Sequence, residues 1–542
     1  MKRFLPILIL LAVVLFYTKP YFRTGFFTTH DGEWAVIRLS EMQRELKDSQ
    51  FPPRFADYLN HGFGYPLFSY TYPGPFYLGT ILRIFRIGLV DSVKVIFVGS
   101  VVMSAIFMFL LGRELAGDFA GFLAALFYIV APFRLVDLYI RGSIGESLSL
   151  ALFPMLFYLS LKYILNPNIT RMILCSLVFA FLILTHNIMA LVFFPIWIAF
   201  LFVSVLSYFE DIKLYSWRYF LPMILLGIGL SAYFFIPAIF EKQYIVLSQI
   251  KLANISEHFI SLPDYLLSPW SYGPKPSYQL GWAHILGALL GLAGVFMAKE
   301  IYRKKYLPIA LFISFSVGIL VFLAHPTSSD FWNAPPLSWI DFPWRFLTPI
   351  SFLLALASIF LSIHRITRII GGILVAATII FSLNFARPAE YINKPDVYYA
   401  TNDATTTSMD ELMPVWVANK PTQRYKTKVE LERANATVYN LDYNSRSIKF
   451  RVVTKVPNII KVNTVYFPGW QFFLKGEQIP LNFGSPDGLI RFEVPEGNHF
   501  IEGKFVETKV RFWSDMVSLL SLAAAVGLLV YSLILRLKTR TA

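Results

Sequence analysis

Long apolar stretches recur along this chain, around residues 4–18, 92–112, 119–133, 146–165, 171–186, 188–208, 219–238, 281–298, 306–324, 346–363, 367–384 and 514–535. Each approaches or reaches the length a helix needs to cross ~30 Å of hydrocarbon. Such a chain is predicted to fold as a polytopic α-helical membrane protein of about twelve transmembrane helices. With 56% hydrophobic and only 15% charged residues over 542 positions, a water-soluble enzyme of this size is excluded. The first stretch follows Lys2 and Arg3, but Tyr17-Thr18-Lys19-Pro20 is a poor cleavage context, so it reads as a retained span. Cys175, the single cysteine, lies in an apolar run, which rules out an internal disulfide and a thiolate metal cluster.

Alternate connections carry the basic residues: Lys2 and Arg3, Arg113, Lys162 and Arg171, Lys213 and Arg218, Arg303-Lys304-Lys305, Arg365 and Arg368, then Arg536, Lys538 and Arg540. By the positive-inside rule these are cytoplasmic, as are both termini, and the protein sits in a cell membrane among its lipids. The net charge of +14 is then a topological signal and not a nucleic-acid footprint. Every long connection, 19–91, 134–145, 239–280, 325–345 and 385–513, falls on the opposite, outer side. The outer face is where chemistry is expected.

Two of these connections have structure of their own. In the first outer loop, Trp34, Ile37, Met42 and Leu46 form an apolar stripe opposite Arg38, Glu41, Arg44, Glu45 and Asp48, as for a helix lying in the membrane interface. Tyr70 and Tyr72 in the following turn region read as belt anchors. The segment 385–513 is polar and alternates in Ser447–Val452, Gln471–Leu474 and Leu489–Val494, with turns at Lys475-Gly476 and Pro495–Asn498. That pattern predicts a small outward-facing antiparallel β domain of sandwich type, followed by a last helix at 514–542 with a basic tail. Residues 1–384 form the transmembrane domain.

Charged residues at the rims of spans are costly and tend to pair or to serve a site. Arg141 and Glu146 flank one outer connection, where they either pair structurally or contact a substrate. His186 ends a span on the outer side, as a packing histidine or as a donor to a phosphate or sugar. Arg345 stands at the mouth of another span, where its guanidinium either snorkels or clamps a phosphate in bidentate fashion. Lys242 and Glu241 are weaker candidates of the same kind. A phosphate-binding Gly-x-x-x-x-Gly-Lys loop, a His-Glu-x-x-His pair and a Gly-x-Ser-x-Gly elbow are all missing from the sequence.

The order of His30-Asp31-Gly32-Glu33, Gly62-Phe63-Gly64-Tyr65-Pro66, Arg141–Glu146, Thr185-His186-Asn187, Asp341–Phe346 and Tyr466–Trp470 resembles large prokaryotic membrane proteins known as 6-pyruvoyl-tetrahydropterin synthase-related, although no soluble pterin enzyme is legible here. Those proteins, with the neighbouring YfhO-type family, are similar to GT-C glycosyltransferases, multispan enzymes that take a sugar from a polyprenyl-phosphate carrier. The resemblance implies a GT-C-like fold and a carboxylate at the reacting centre in the first outer loop, as base for the acceptor hydroxyl or as a metal ligand. The matching position is Asp31, with Glu33 as a second carboxylate and His30, Arg141, Glu146, His186, Lys242 and Arg345 as substrate contacts. A divalent metal, magnesium or manganese, at Asp31 is left open. Asp31 as a plain N-cap for the following helix is compatible with the same sequence.

The reading is therefore a glycosyltransferase with a polyprenyl-phosphate sugar donor, a glycan, lipid or protein acceptor, and no nucleic-acid partner. Its rivals are a flippase-like lipid or glycan transporter, since twelve spans is also a transporter count, and a non-catalytic envelope assembly protein. Transporters place polar sites near the bilayer midplane, whereas here they gather at the outer rim.

Overall fold

A computed structural model describes residues 5–208 and 220–541; Lys2, Arg3, Lys213 and Arg218 and the side chains of Arg536, Lys538 and Arg540 fall outside that range. Among the described residues, nine helices are long and apolar enough to cross a membrane, from Leu5–Phe22 to Lys509–Leu535. A bent pair, Asp118–Ile129 with Pro132–Arg141, and two shorter apolar helices, Ile169–Thr185 and Trp282–Phe296, account for the other apolar stretches. The fold is thus polytopic and helical, with a small antiparallel β region before the last helix, as the hydropathy pattern predicts.

Helix contacts are set by small residues. A Cβ on Gly112 would lie 2.8 Å from the Gly121 Cα, so the helices Leu89–Ala116 and Asp118–Ile129 meet backbone to backbone. After Pro132–Val136 the chain widens into a π-helical turn, Asp137–Arg141, closed by the Gly142 N–H donating to the Asp137 carbonyl at 2.8 Å. The wide turn carries Asp137 and Arg141 inward, and both are buried. The connection 134–145 is accordingly no loop at all. Gly142 has φ +60° and lies so close to Thr29 that a Cβ there would collide with the threonine side chain.

That close approach docks the first loop. The His30 and Asp31 N–H groups donate to the Ile140 and Arg141 carbonyls at 2.9 and 2.8 Å, and Phe26–Phe27 pairs antiparallel with Tyr391–Ile392. The helix Gly32–Lys47 that follows does not present a solvated charged face: Glu41 and Glu45 are buried. The expected interfacial helix is instead sandwiched, because the β domain covers the side that water would have taken. Tyr70 and Tyr72 are likewise not belt anchors. The Tyr70 hydroxyl donates to the Glu241 carbonyl at 2.7 Å, and the Tyr72 ring stacks on His186 with centroids 5.0 Å apart.

The β domain has a five-stranded antiparallel sheet of strands 436–443, 447–454, 497–505, 470–474 and 477–479 in that spatial order, facing a three-stranded sheet of 429–431, 458–465 and 489–494. Alternation buries Ile448, Phe450, Val452 and Ile501 from one sheet against Ile460, Val462, Ile490 and Phe492 from the other. Phe472 and Phe492 meet with centroids 5.1 Å apart. Phe467 and Trp470 are core residues, and the core is completed from outside by Phe55 of the first loop, which packs on Phe467, Trp470 and Phe505.

Candidate active site

The residue that opens the first-loop helix decides what this rim can do. The helix cap is made by Thr29, whose hydroxyl accepts the Gly32 N–H at 2.9 Å, and Asp31 makes no side-chain cap. Among the described residues the Asp31 carboxylate has neither a hydrogen bond nor an ion pair. It is half-buried and lies within electrostatic reach of Arg141 and Tyr72. The capping role read from sequence is taken by its neighbour, and the carboxylate stays free.

Behind it stands a closed polar network. The Arg141 guanidinium donates to Asp137 at 3.2 Å and to Glu146; Ser147 donates to Asp137, and Thr348 donates to Glu146. The guanidinium also lies 4.4 Å from the Trp344 ring centroid. One guanidinium shared by two buried carboxylates is already neutralised, so its first task is to hold this turn together. The structural pair read for Arg141 and Glu146 is thus present. Asp137 and Thr348 were not read from sequence, Trp344 entered only within the Asp341–Phe346 motif, and Tyr72 was read as a belt anchor. Asp137 precedes Arg141 by four residues on one turn, a spacing that signals a pair; Thr348 is 202 residues from Glu146 and carries no such signal.

His186 is buried beside this network, capping the next helix by accepting the Met189 N–H on Nδ1 at 3.3 Å. Arg345 is loosely held: its nearest carboxylate, Asp341, is 3.6 Å away and its buried Nε has no partner. Asn187, next in the chain to His186, and Asp341, the partner of Arg345, line an apolar cavity of about 600 Å³ together with Phe179, Ile183, Leu191, Phe194, Phe235 and Ile239, and with Lys242 and Lys251 as cationic members. Size and lining suit a hydrocarbon chain with a polar head.

Three expected contacts lie elsewhere. Glu33 turns to Lys394 at 3.5 Å and does not join Asp31, because alternate residues on a helix start diverge by more than a right angle. His30 is exposed and pairs through Nε2 with the Gly273 carbonyl at 3.0 Å. Glu241 forms an ion pair with the buried Arg511 at 2.8 Å, latching the last helix. With Glu33 turned away, no three His, Cys, Asp or Glu side chains among the described residues are grouped about Asp31.

The chain belongs to the 6-pyruvoyl-tetrahydropterin synthase-related membrane protein family, whose sequence profile matches residues 68–392. It is 23% identical over 238 residues to an uncharacterised protein of Lactococcus lactis subsp. cremoris (strain MG1363), covering 42% of this chain and 38% of that one. Among solved structures it is similar to the oligosaccharyltransferase of Archaeoglobus fulgidus in the apo form, with a TM-score of 0.43 and 12% identity over 75% of this chain and 60% of that one. The arabinofuranosyltransferase AftD from Mycobacteria gives a TM-score of 0.42 and 14% identity over 71% of this chain and 27% of that one. The chain thus spans less than two thirds of the length of each of these proteins, from 27% to 60%.

Proposed function

We propose that the protein is a membrane glycosyltransferase that moves a sugar from a polyprenyl-phosphate carrier to a glycan, lipid or protein acceptor at the outer face of the cell membrane. The observation that carries this reading is the unpaired Asp31 carboxylate, held by backbone hydrogen bonds against a buried polar network; an apolar cavity lined by Asn187 and Asp341, the neighbours of His186 and Arg345, accompanies it. In the reaction Asp31 accepts the proton of the acceptor hydroxyl as its oxygen bonds to the anomeric carbon. The bond from that carbon to the phosphate oxygen breaks, and the electron pair departs on the lipid phosphate.

Arg345 is the residue suited to the phosphate, because its guanidinium is barely engaged, whereas Arg141 is occupied by two carboxylates and positions the turn. The polyprenyl chain occupies the apolar cavity, with Lys242 and Lys251 among its cationic members. His186 orders the helix start between the two.

The test is transfer from a radiolabelled polyprenyl-phosphate sugar in liposomes. Consumption of the donor by the wild type supports the reading; failure with every such donor would move the protein to the transporter or assembly class. The outer placement is tested in a Cys175→Ala background by impermeant thiol labelling. Lys275→Cys and Lys455→Cys, both at exposed positions, react from outside, and Lys304→Cys does not.

A further inference from the structure

The outward face of the five-stranded sheet carries a row that the packing of the domain does not use. Register places Tyr439 opposite Arg451 and Arg451 opposite Phe500, so three adjacent strands present aromatic, guanidinium and aromatic side chains side by side. With strands ~4.8 Å apart, the two rings stand roughly 10 Å apart across the cation. Tyr439 is 51% and Phe500 49% exposed, on the side opposite the buried Phe450 and Ile501. The neighbouring row, Thr437, Val453 and Asn498, is exposed too and adds a hydroxyl and an amide.

Charge on this face is unbalanced. Lys449 and Lys504 share Glu502, at 3.3 and 2.9 Å, and Asp442 pairs in register with Lys449 past the bulge. Arg451 is left over: among the described residues it meets no carboxylate and no aromatic ring. A sheet face normally left to water would carry polar side chains here, and exposed rings grouped about a free guanidinium mark a binding surface.

We propose that this face binds an anionic glycan, with Tyr439 and Phe500 stacking on the apolar faces of sugar rings and Arg451 forking onto a carboxylate or phosphate that the glycan carries. This rests on the transferase reading above and names its acceptor class. Flat rings beside hydrogen-bonding Thr437 and Asn498 suit a sugar chain, and the surplus cation selects the charged one.

The experiment applies the full chain in lipid nanodiscs to immobilised oligogalacturonate, to neutral maltohexaose and to a polyglutamate peptide. Oligogalacturonate is retained most strongly, Arg451→Gln weakens it at least tenfold, and Tyr439→Ala with Phe500→Ala weakens both sugars; all three positions are exposed, so the fold is unaffected. Equal retention of the neutral sugar, preference for the peptide, unchanged binding in Arg451→Gln or absence of any sugar binding would each overturn the proposal. A wild type that consumes donor yet ignores oligogalacturonate defeats this proposal alone, and one that binds the glycan but consumes no donor defeats the transferase reading alone.

Discussion

Buried charge clusters stand at both ends of the helix Gly32–Lys47, and they are built on opposite terms. At the N-terminal end Arg141 meets Asp137 and Glu146, and each carboxylate takes a hydroxyl donor as well. At the C-terminal end one Glu41 oxygen lies 3.3 Å from the Arg44 Nε, while among the described residues its other oxygen, both oxygens of Glu45 and one of Asp57 are buried without a partner, and Lys428 donates to the Gly62 and Asn463 carbonyls, at 3.0 Å each. Burial pushes Glu41 up to about 8 and Lys428 down to about 7, against the pull of Arg44 on one and Asp57 on the other. Asp48 and Arg424 face the same cluster. At one end every carboxylate oxygen finds a donor; at the other, buried carboxylates with too few donors are pushed toward the protonated form. The first cluster holds the turn Asp137–Arg141 together; the second is a clasp between the first loop and the segment that carries the β strands.

The largest expected effect comes from breaking the paired cluster. Arg141→Ala leaves two buried carboxylates uncompensated and is expected to destabilise the protein by about 3–5 kcal/mol, seen as a lowered unfolding temperature in detergent. Adding Glu146→Gln and Asp137→Asn should restore most of it. A stable Arg141→Ala single variant would mean that the carboxylates are not charged together. Next is Arg345→Ala, which should weaken lipid-phosphate binding by about 1.5–3 kcal/mol with little change in unfolding, because the guanidinium has only a distant partner to lose.

The clasp should answer to pH. With the folded value of Glu41 raised from 4.5 to about 8, the folded state binds more protons across that interval, so the stability it contributes is full below 4.5 and is lost as pH rises through 8. Lys428 works in the opposite sense: its contribution is present above 10.5 and is lost as pH falls through about 7. Between roughly pH 5 and 7 only the acids act, so the unfolding temperature should fall with rising pH, and Glu41→Gln should flatten that slope. A slope unchanged in Glu41→Gln would remove the distinction between the two clusters. The smallest effect is expected from Tyr72→Phe, which keeps the ring on His186 and removes only a hydroxyl. Donor affinity should change by less than about 1 kcal/mol.

What the sequence made legible follows the same division. Apolar length and two-residue alternation carry the spans and the strands, since each is set by local period. Arg141, Glu146, His186 and Arg345 stood out because charge at a span rim is rare. Glu41 and Glu45 did not, because a charged face looks the same whether water or a β domain covers it, and the covering residues, Asp57 apart, lie nearly 400 positions away. Glu33 was grouped with Asp31 by proximity in the chain, and only the helix direction separates them. Tyr70 and Tyr72 have the composition of belt anchors, and their true partners, Glu241 and His186, come from other helices.

The central claim is that Asp31 is the base, and it is tested most directly in Asp31→Asn. The change keeps size and polarity, and Thr29 keeps the helix cap, so folding and donor-lipid binding should match the wild type. Transfer from a radiolabelled polyprenyl-phosphate sugar, measured in the same liposomes beside lipid binding, should fall by ~100-fold or more, the range expected for losing a general base. Full transfer activity in Asp31→Asn would contradict the account.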